Sequence, residues 1–334
     1  MKTFHQILLI IWALSSAALT FAQGDAVKPI DVPVKNIAAD SKGREHDNVV
    51  VITGVRFAYP LIQKWIDDYN KINPDVQIII ESRGTNDPSK YDLLIEAYEP
   101  EETIKKNREF VYVARYAVVP VANGNSSFAK TYSDKGLNEG LIKQIFFHDM
   151  FADKENEVEI KAPFTVYTRL QKAGVPITFT KHFGFQQKDV KGKAIAGSDE
   201  HLLKAVLRDS TGLSYFPLSI AYDRTTGKPV QGLSVLPVDL NGNNKVNDEE
   251  KFYDQLASVL EHLEEKGSKN HNVPIEYLHL SVDKNNPNTK AVEFLCWVIQ
   301  NGQKDLHAFG YLLPAAARFD TEKFEAFASQ HIKQ

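Results

Sequence analysis

The sequence predicts an α/β protein in which strands and helices alternate along almost the whole chain. Two observations carry this. A β-branched run near residue 50 is followed by a glycine-containing turn, an amphipathic helix and a second strand, the building unit of a parallel sheet. Beyond it, apolar stretches of strand length keep alternating with segments whose apolar residues recur at helical spacing.

In chain order, Asn48 to Ile52 (NVVVI) reads as a strand, and Thr53-Gly54 as the turn that follows. Tyr59 to Ile72 places Leu61, Ile62, Trp65, Ile66, Tyr69 and Ile72 on one helical face, and Asn73-Pro74 closes it. Val76 to Ile80 is again a strand. Phe110 to Ala122 (FVYVARYAVVPVA) reads as two joined strand pieces, and Leu137 to Phe147 as a helix. Phe164 to Thr168, Ala194 to Ala196, Leu213 to Tyr222 and Leu233 to Val238 are strand-like, whereas Glu200 to Arg208 and Glu249 to Lys266 are helical. No short internal repeat or low-complexity tract points to a solenoid. Composition and periodicity alone do not choose between two lobes around a cleft and two independent domains.

At the N-terminus, Lys2 precedes an apolar run from Ile7 to Leu19 that ends in Thr20-Phe21-Ala22. The run is short for a bilayer span, and small residues at the third and first positions before Gln23 suit cleavage after Ala22. Residues 1–22 are therefore expected to be a signal peptide and 23–47, polar with scattered Pro and Ala, a flexible leader. No cysteine follows the apolar run, which excludes a lipid anchor there. About 312 residues remain, enough for two domains of ordinary size. The single cysteine, Cys296, excludes an intramolecular disulfide and reads as a core residue. With 39 basic against 43 acidic side chains and no basic tract, nucleic acid is excluded as an expected partner. No second apolar run reaches membrane-spanning length.

The turn at Thr53-Gly54 puts backbone N–H groups and the positive end of a helix dipole at the mouth of the sheet, where anions are held. Taken alone, Gly54 is first of all a turn residue.

Longer segments add a resemblance. Gly54-Val55-Arg56-Phe57-Ala58-Tyr59-Pro60-Leu61-Ile62-Gln63-Lys64-Trp65 resembles the first helix entry of periplasmic phosphate-binding proteins, the solute-binding components of phosphate-type ABC transporters. Phe294 to Gln303, followed by Gly310-Tyr311-Leu312-Leu313-Pro314, is similar to that family's closing helix and its ending. Leu213 to Ser219 is similar to the strand after its second-lobe helices. The three matches fall in the family's order and span most of the mature chain. The resemblance implies a two-lobed, periplasmic-binding-protein-like (type II) fold, each lobe a helix-flanked mixed sheet. Crossings near Arg115 to Val121 and Tyr277 to Val282 would give one lobe of 48–116 plus 281–334 and another of 117–280. It further implies a periplasmic or secreted protein without catalysis, a small anion such as phosphate between the lobes, and an ABC permease as partner.

The ligand positions are where this sequence departs from the family. Thr53 and Gly54 are kept, but the hydroxyl residue that opens the family's first helix is here Arg56. The family's arginine and serine-glycine-threonine pattern falls on Arg169, Ala173, Gly174 and Val175, so both hydroxyls are missing. Its glycine-serine loop shortens to Ser82-Arg83-Gly84-Thr85, and its cleft aspartate, which accepts a hydrogen from a protonated oxyanion, matches Asp92. Two lost donors cost about 1–3 kcal/mol each for phosphate. Arg56, Arg83 and Arg169 offer charged forks that would hold an anion in compensation. Equally, they would pair with Asp92 or Glu81, leaving a fold that binds a partner protein and no small molecule.

A second pattern runs from Asp239 to Glu250. Asp239, Asn241, Asn243, the Lys245 carbonyl, Asn247 and Glu250 stand at the ligand spacing of an EF-hand-type calcium loop, with Asn244 where glycine is usual. A structural Ca²⁺ of weak affinity is expected, with a helix continuing from Glu249. No required cofactor is expected. No nucleophile elbow, P-loop or zinc-type histidine pair is present, and His148, His182 and His271 stand apart, so an exported hydrolase is the least favoured reading.

Overall fold

The computed structural model describes residues 48–81, 85, 87–99, 102–148, 158–266, 272–316, 319 and 321–332. The signal-peptide and leader segments and Arg83 lie outside these residues.

Strand β1 (Val49–Gly54) leads through a short 3₁₀ turn (Arg56–Ala58) into α1 (Tyr59–Asn70), and β2 (Gln77–Ile80) and β3 (Leu93–Glu96) both pair parallel to β1. The periodic face of α1 is the reason it forms where it does: Leu61, Ile62 and Trp65 are wholly buried against the sheet. Each such side chain contributes roughly 1.5–3 kcal/mol of transfer free energy. After α2 (Glu102–Asn107), the chain runs into β4 (Arg108–Asn123), 16 residues long. The sequence suggests two joined pieces here. The structure has one strand with a register shift between Tyr112 and Ala114, and the irregularity falls inside the segment that reads as joined.

Past β4 come α3 (Ser127–Lys135), α4 (Glu139–Phe146), β5 (Thr165–Arg169), α5 (Gly174–His182), β6 (Lys193–Ile195) and α6 (Asp199–Arg208). Then follow β7 (Gly212–Pro217), α7 (Leu218–Ala221), β8 (Leu233–Val235), α8 (Leu256–Lys266), β9 (Ile275–Asp283), α9 (Thr289–Asn301) and α10 (Thr321–His331). The strands follow the order β2-β1-β3-β9-β4-β7-β5-β6, with β8 also on β4. The first half of β4 pairs with β9, up to Ala117 opposite Ile275. Its second half pairs with β7 and β8, beginning with Val118 opposite Pro217. One strand therefore carries the chain from a sheet built on β1 to a second built on β5, β6 and β7, and the result is two lobes.

Two sequence readings are corrected. Leu213 to Tyr222 is not one strand: the ladder on β4 ends at Pro217, and the chain turns into α7, with Tyr222 N–H bonded to the Leu218 carbonyl at 3.1 Å. The helix expected from Glu249 starts only at Leu256. Residues Asp248–Glu250 form a 3₁₀ turn, and Tyr253 is anchored next to it by the Tyr222 hydroxyl, which donates to the Tyr253 carbonyl at 2.7 Å.

Aromatic packing fixes α5 on the second sheet. The Phe179 ring stacks on Tyr215 with centroids 4.0 Å apart, and Phe146 meets Phe179 edge-on at 5.1 Å. In the first lobe the Trp65 indole donates to the Gly302 carbonyl at 3.0 Å, tying α1 to the segment after α9.

Candidate functional site

Two strand–turn–helix entries, one per lobe, sit where the lobes meet, and they are built differently. At the first, Gly54 has φ +135°, and a Cβ there would lie 2.0 Å from the Ile95 carbonyl oxygen, so only glycine fits. The Val55 N–H donates to that carbonyl at 3.1 Å. Thr53, 1% exposed, donates its hydroxyl to the Glu81 carbonyl at 3.4 Å. The Tyr59 hydroxyl shares its hydrogen between the carbonyls of Gly54 and Glu81, at 3.1 and 3.2 Å. Burial raises the pKa of Tyr59, so it remains a donor. The polar groups of this entry are thus spent within the lobe, and Arg56 lies exposed at the start of the 3₁₀ turn.

Asp92 lies apart from that mouth. It precedes β3, and its carboxylate accepts the Val51 N–H at 2.8 Å and the Asn286 side-chain amide at 3.3 Å. Gly54 pairs with Ile95, three residues further along β3, so Asp92 sits roughly 10 Å toward the other end of the sheet. It caps the amino end of β3, an interior strand between β1 and β9, away from the mouth at Gly54.

At the second entry, β5 ends at Arg169, whose Nη1 donates to Asp199 at 2.8 Å, with side chains 13% and 8% exposed. Desolvation raises the pKa of Asp199, and the Arg169 charge opposes it. Arg169 is thereby committed to an ion pair, while its buried Nε has no partner among the described residues.

The helix after it begins without a cap. In α3, α4 and α9 the side chains of Ser126, Asn138 and Asn288 accept first-turn N–H groups. Ala173, at that position in α5, has nothing to accept with. Pro176 contributes no N–H, which leaves the N–H groups of Gly174 and Val175, both buried and without an acceptor among the described residues.

This bare terminus faces the first lobe. A Cβ on Gly174 would come within 2.7 Å of the Ala97 Cβ, just beyond β3. The Tyr116 hydroxyl, from β4, donates to the Ala97 carbonyl and meets Thr178 Oγ1 of α5 at 2.6 Å. A second contact lies alongside: a Cβ on Gly310 would be 2.9 Å from the Ser219 nitrogen. The lobes are closed on each other. Of the predicted anion residues, Gly174 lies in this junction, and Thr53, Asp92 and Arg169 are engaged elsewhere. Ala97, Tyr116 and Asp199 were not singled out by sequence reasoning. The one signal for Ala97 was its place past the carboxyl end of a parallel strand, where α/β sheets bind ligands.

The Asp239–Glu250 loop forms a self-contained network. Asp239 accepts the N–H groups of Gly242, Asn243 and Asn244, at 2.8, 3.2 and 2.7 Å. Glu250 accepts those of Leu240, Asn241 and Asn247, at 2.8, 3.2 and 2.9 Å. Asn241 accepts from Asn243 and Asn243 from Lys245. Asn244 has φ +66°, in the left-handed conformation the sixth position requires. Among the described residues no group of three or more His, Cys, Asp or Glu is arranged to hold a metal ion.

The fold is similar to that of a putative phosphate ABC transporter substrate-binding protein with bound phosphate from Clostridium perfringens. The two share 17% identity and a TM-score of 0.61, over 80% of this chain and 100% of that one. An ABC-type phosphate transport receptor from Vibrio cholerae aligns at 12% identity and a TM-score of 0.54, over 80% of this chain and 100% of that one. No family model and no curated protein matches the chain. At these identities the likeness is one of fold: the chain has the two-lobed α/β architecture of type II binding proteins. No helix among the described residues is long and apolar enough to cross a membrane.

Proposed function

We propose that this protein is an exported solute-binding protein that holds a small oxyanion between lobes 48–116 with 281–334 and 117–280, delivers it to an ABC-type permease, and catalyses no reaction. The observation that supports this reading is the uncapped, buried N-terminus of α5. Two buried N–H donors without acceptors cost about 1–3 kcal/mol each. An anion at Gly174 and Val175 removes that cost and gains from the helix dipole. The fold likeness to a protein with bound phosphate agrees with this choice. Calorimetry against phosphate, sulfate and molybdate, on protein unfolded and refolded to strip carried-over ligand, tests it. One of the three binding at or below millimolar concentration is expected, with phosphate weaker than in a hydroxyl-bearing binding protein by about one to four decades.

One observation favours a second reading. Ala97 already sits on Gly174, so the two lobes pack directly on each other at this point. If none of the three anions binds, the fold serves as a partner-binding surface protein.

We also propose that the Asp239–Glu250 loop takes calcium weakly. The left-handed Asn244 supports this, as do Asp239 Oδ2 and Glu250 Oε2, which each accept only one N–H. Export with cleavage after Ala22 completes the proposal, and an intact mass that begins at Gln23 is its check.

A further inference from the structure

Beside the second entry, with which it shares Arg169, the second lobe carries a pocket of about 700 Å³ between α5, the turn that follows it, and β5 with the edge strand β6. That volume lies within the roughly 300–1,000 Å³ of small-molecule sites. Four cationic side chains line it, Arg169, Lys172, Lys181 and Lys188, and no acidic one does. The ion pair with Asp199 neutralises Arg169. Lys172, Lys181 and Lys188 are exposed and have no ion-pair partner among the described residues. The carboxylate closest in sequence, Asp189, is turned back to accept the Gln186 N–H at 2.8 Å. Three positive charges therefore remain uncompensated around one concavity.

The floor is polar in a particular way. Gln187 donates its amide to the carbonyls of Arg169 and Gln171, at 2.9 and 3.0 Å, which fixes its orientation and leaves Oε1 buried with no donor. Arg169 Nε is likewise buried and unpartnered. An occupant that supplies both an acceptor and an N–H or O–H donor would satisfy the two. The rest of the lining is mixed: Thr168, Thr180 and Gln186 stand beside the apolar Ile177, Phe185 and Leu170, the last 60% exposed. The apolar side chains have no use for an inorganic ion and suit the organic part of a ligand.

We infer that this pocket is a second binding site, for a phosphate monoester whose phosphate meets the three lysines while its organic part lies on Leu170 and Ile177. The site is formed within one lobe and does not depend on the junction. The test is calorimetry of the purified full chain with adenosine 5′-monophosphate, inorganic phosphate and citrate as probes. Adenosine monophosphate is expected to bind more tightly than either of the others. The double variant Lys181→Ala/Lys188→Ala is expected to weaken it on the order of tenfold. Leu170→Ser is expected to weaken it several-fold while leaving any citrate binding unchanged. The lysine variant should keep whatever inorganic oxyanion binding the junction shows, which separates a failure here from a failure of the junction reading. Equal binding of all three probes, all lost at roughly 0.3 M salt, would reduce the pocket to a charged surface. So would an undiminished affinity in the double lysine variant.

Discussion

The two strand–turn–helix entries use the same device for different ends. In the first, a glycine that no other residue can replace is locked by Ile95, and every nearby hydroxyl already serves a carbonyl of its own lobe. In the second, the glycine has ordinary backbone angles, the cap is an alanine, and the donors stay bare. The first entry holds the sheet together, and the second leaves two N–H donors without acceptors among the described residues.

Substitution of the two glycines separates these roles. Gly54→Ala adds left-handed strain to a direct clash with the Ile95 backbone, together up to about 6 kcal/mol, and the protein is expected to fail to fold or to melt far below the wild type. Gly174→Ala would put its methyl 2.7 Å from the Ala97 Cβ and 3.1 Å from the Ala97 carbonyl oxygen across the junction, with no left-handed strain. It is expected to keep the far-ultraviolet circular dichroism and to open the lobes, read as a larger radius of gyration in solution scattering. Equal losses of stability in the two variants would erase the distinction.

Arg169→Ala leaves the buried Asp199 carboxylate unpaired, which costs about 3–5 kcal/mol. With its pKa already raised by burial, Asp199 then takes up a proton more readily, and the variant should lose stability as the pH rises from mildly acidic to neutral. Adding Asp199→Asn should restore most of it. A double variant no better than the single one would show that the pair is not what anchors β5 to α6.

Glu250→Ala removes the acceptor of three backbone N–H groups and is expected to cost about 2–4 kcal/mol in the absence of calcium. Millimolar calcium should raise the melting temperature of the wild type and leave that of the variant unchanged. If calcium and chelator act alike on both, the loop is only a turn.

These contrasts also show what the sequence made legible. The face of α1 and the strand β1 follow from periodicity, because Leu61, Trp65 and Val50 are buried in the alternation their spacing implies, although Ile72, expected on that face, lies past the end of α1 and is 65% exposed. The break at Pro217 was not legible, since an apolar run looks the same whether its last residues stay in a ladder or turn out of it. In the site, Gly174 was marked only by the resemblance of Arg169 to Val175 to a family pattern, since no helix was expected after it. Asp92 misleads because a carboxylate reads alike at either end of a strand. The partner of Arg169 stands 30 residues away, and Ala97 carries no chemistry that would mark it.

The smallest effect belongs to the first lobe. Hydrogen bonds from Lys64 and Lys71 lower Asp68 to a pKa of about 2, so its contribution is complete above its unfolded value and is lost as the pH falls through the folded one. Lys64 is 36% and Lys71 72% exposed, so water screens both pairs and the contribution stays under about 1 kcal/mol. Asp68→Asn should flatten the stability profile between about pH 4 and pH 2.

The claim that the second entry is the ligand-competent one is tested most directly by amide nuclear magnetic resonance during an oxyanion titration. Saturable shifts of the Gly174 and Val175 amides, with Thr53 and Gly54 moving less, are the predicted result. Shifts centred on Thr53 and Gly54, or none at either entry with phosphate, sulfate or molybdate at millimolar concentration, would contradict it.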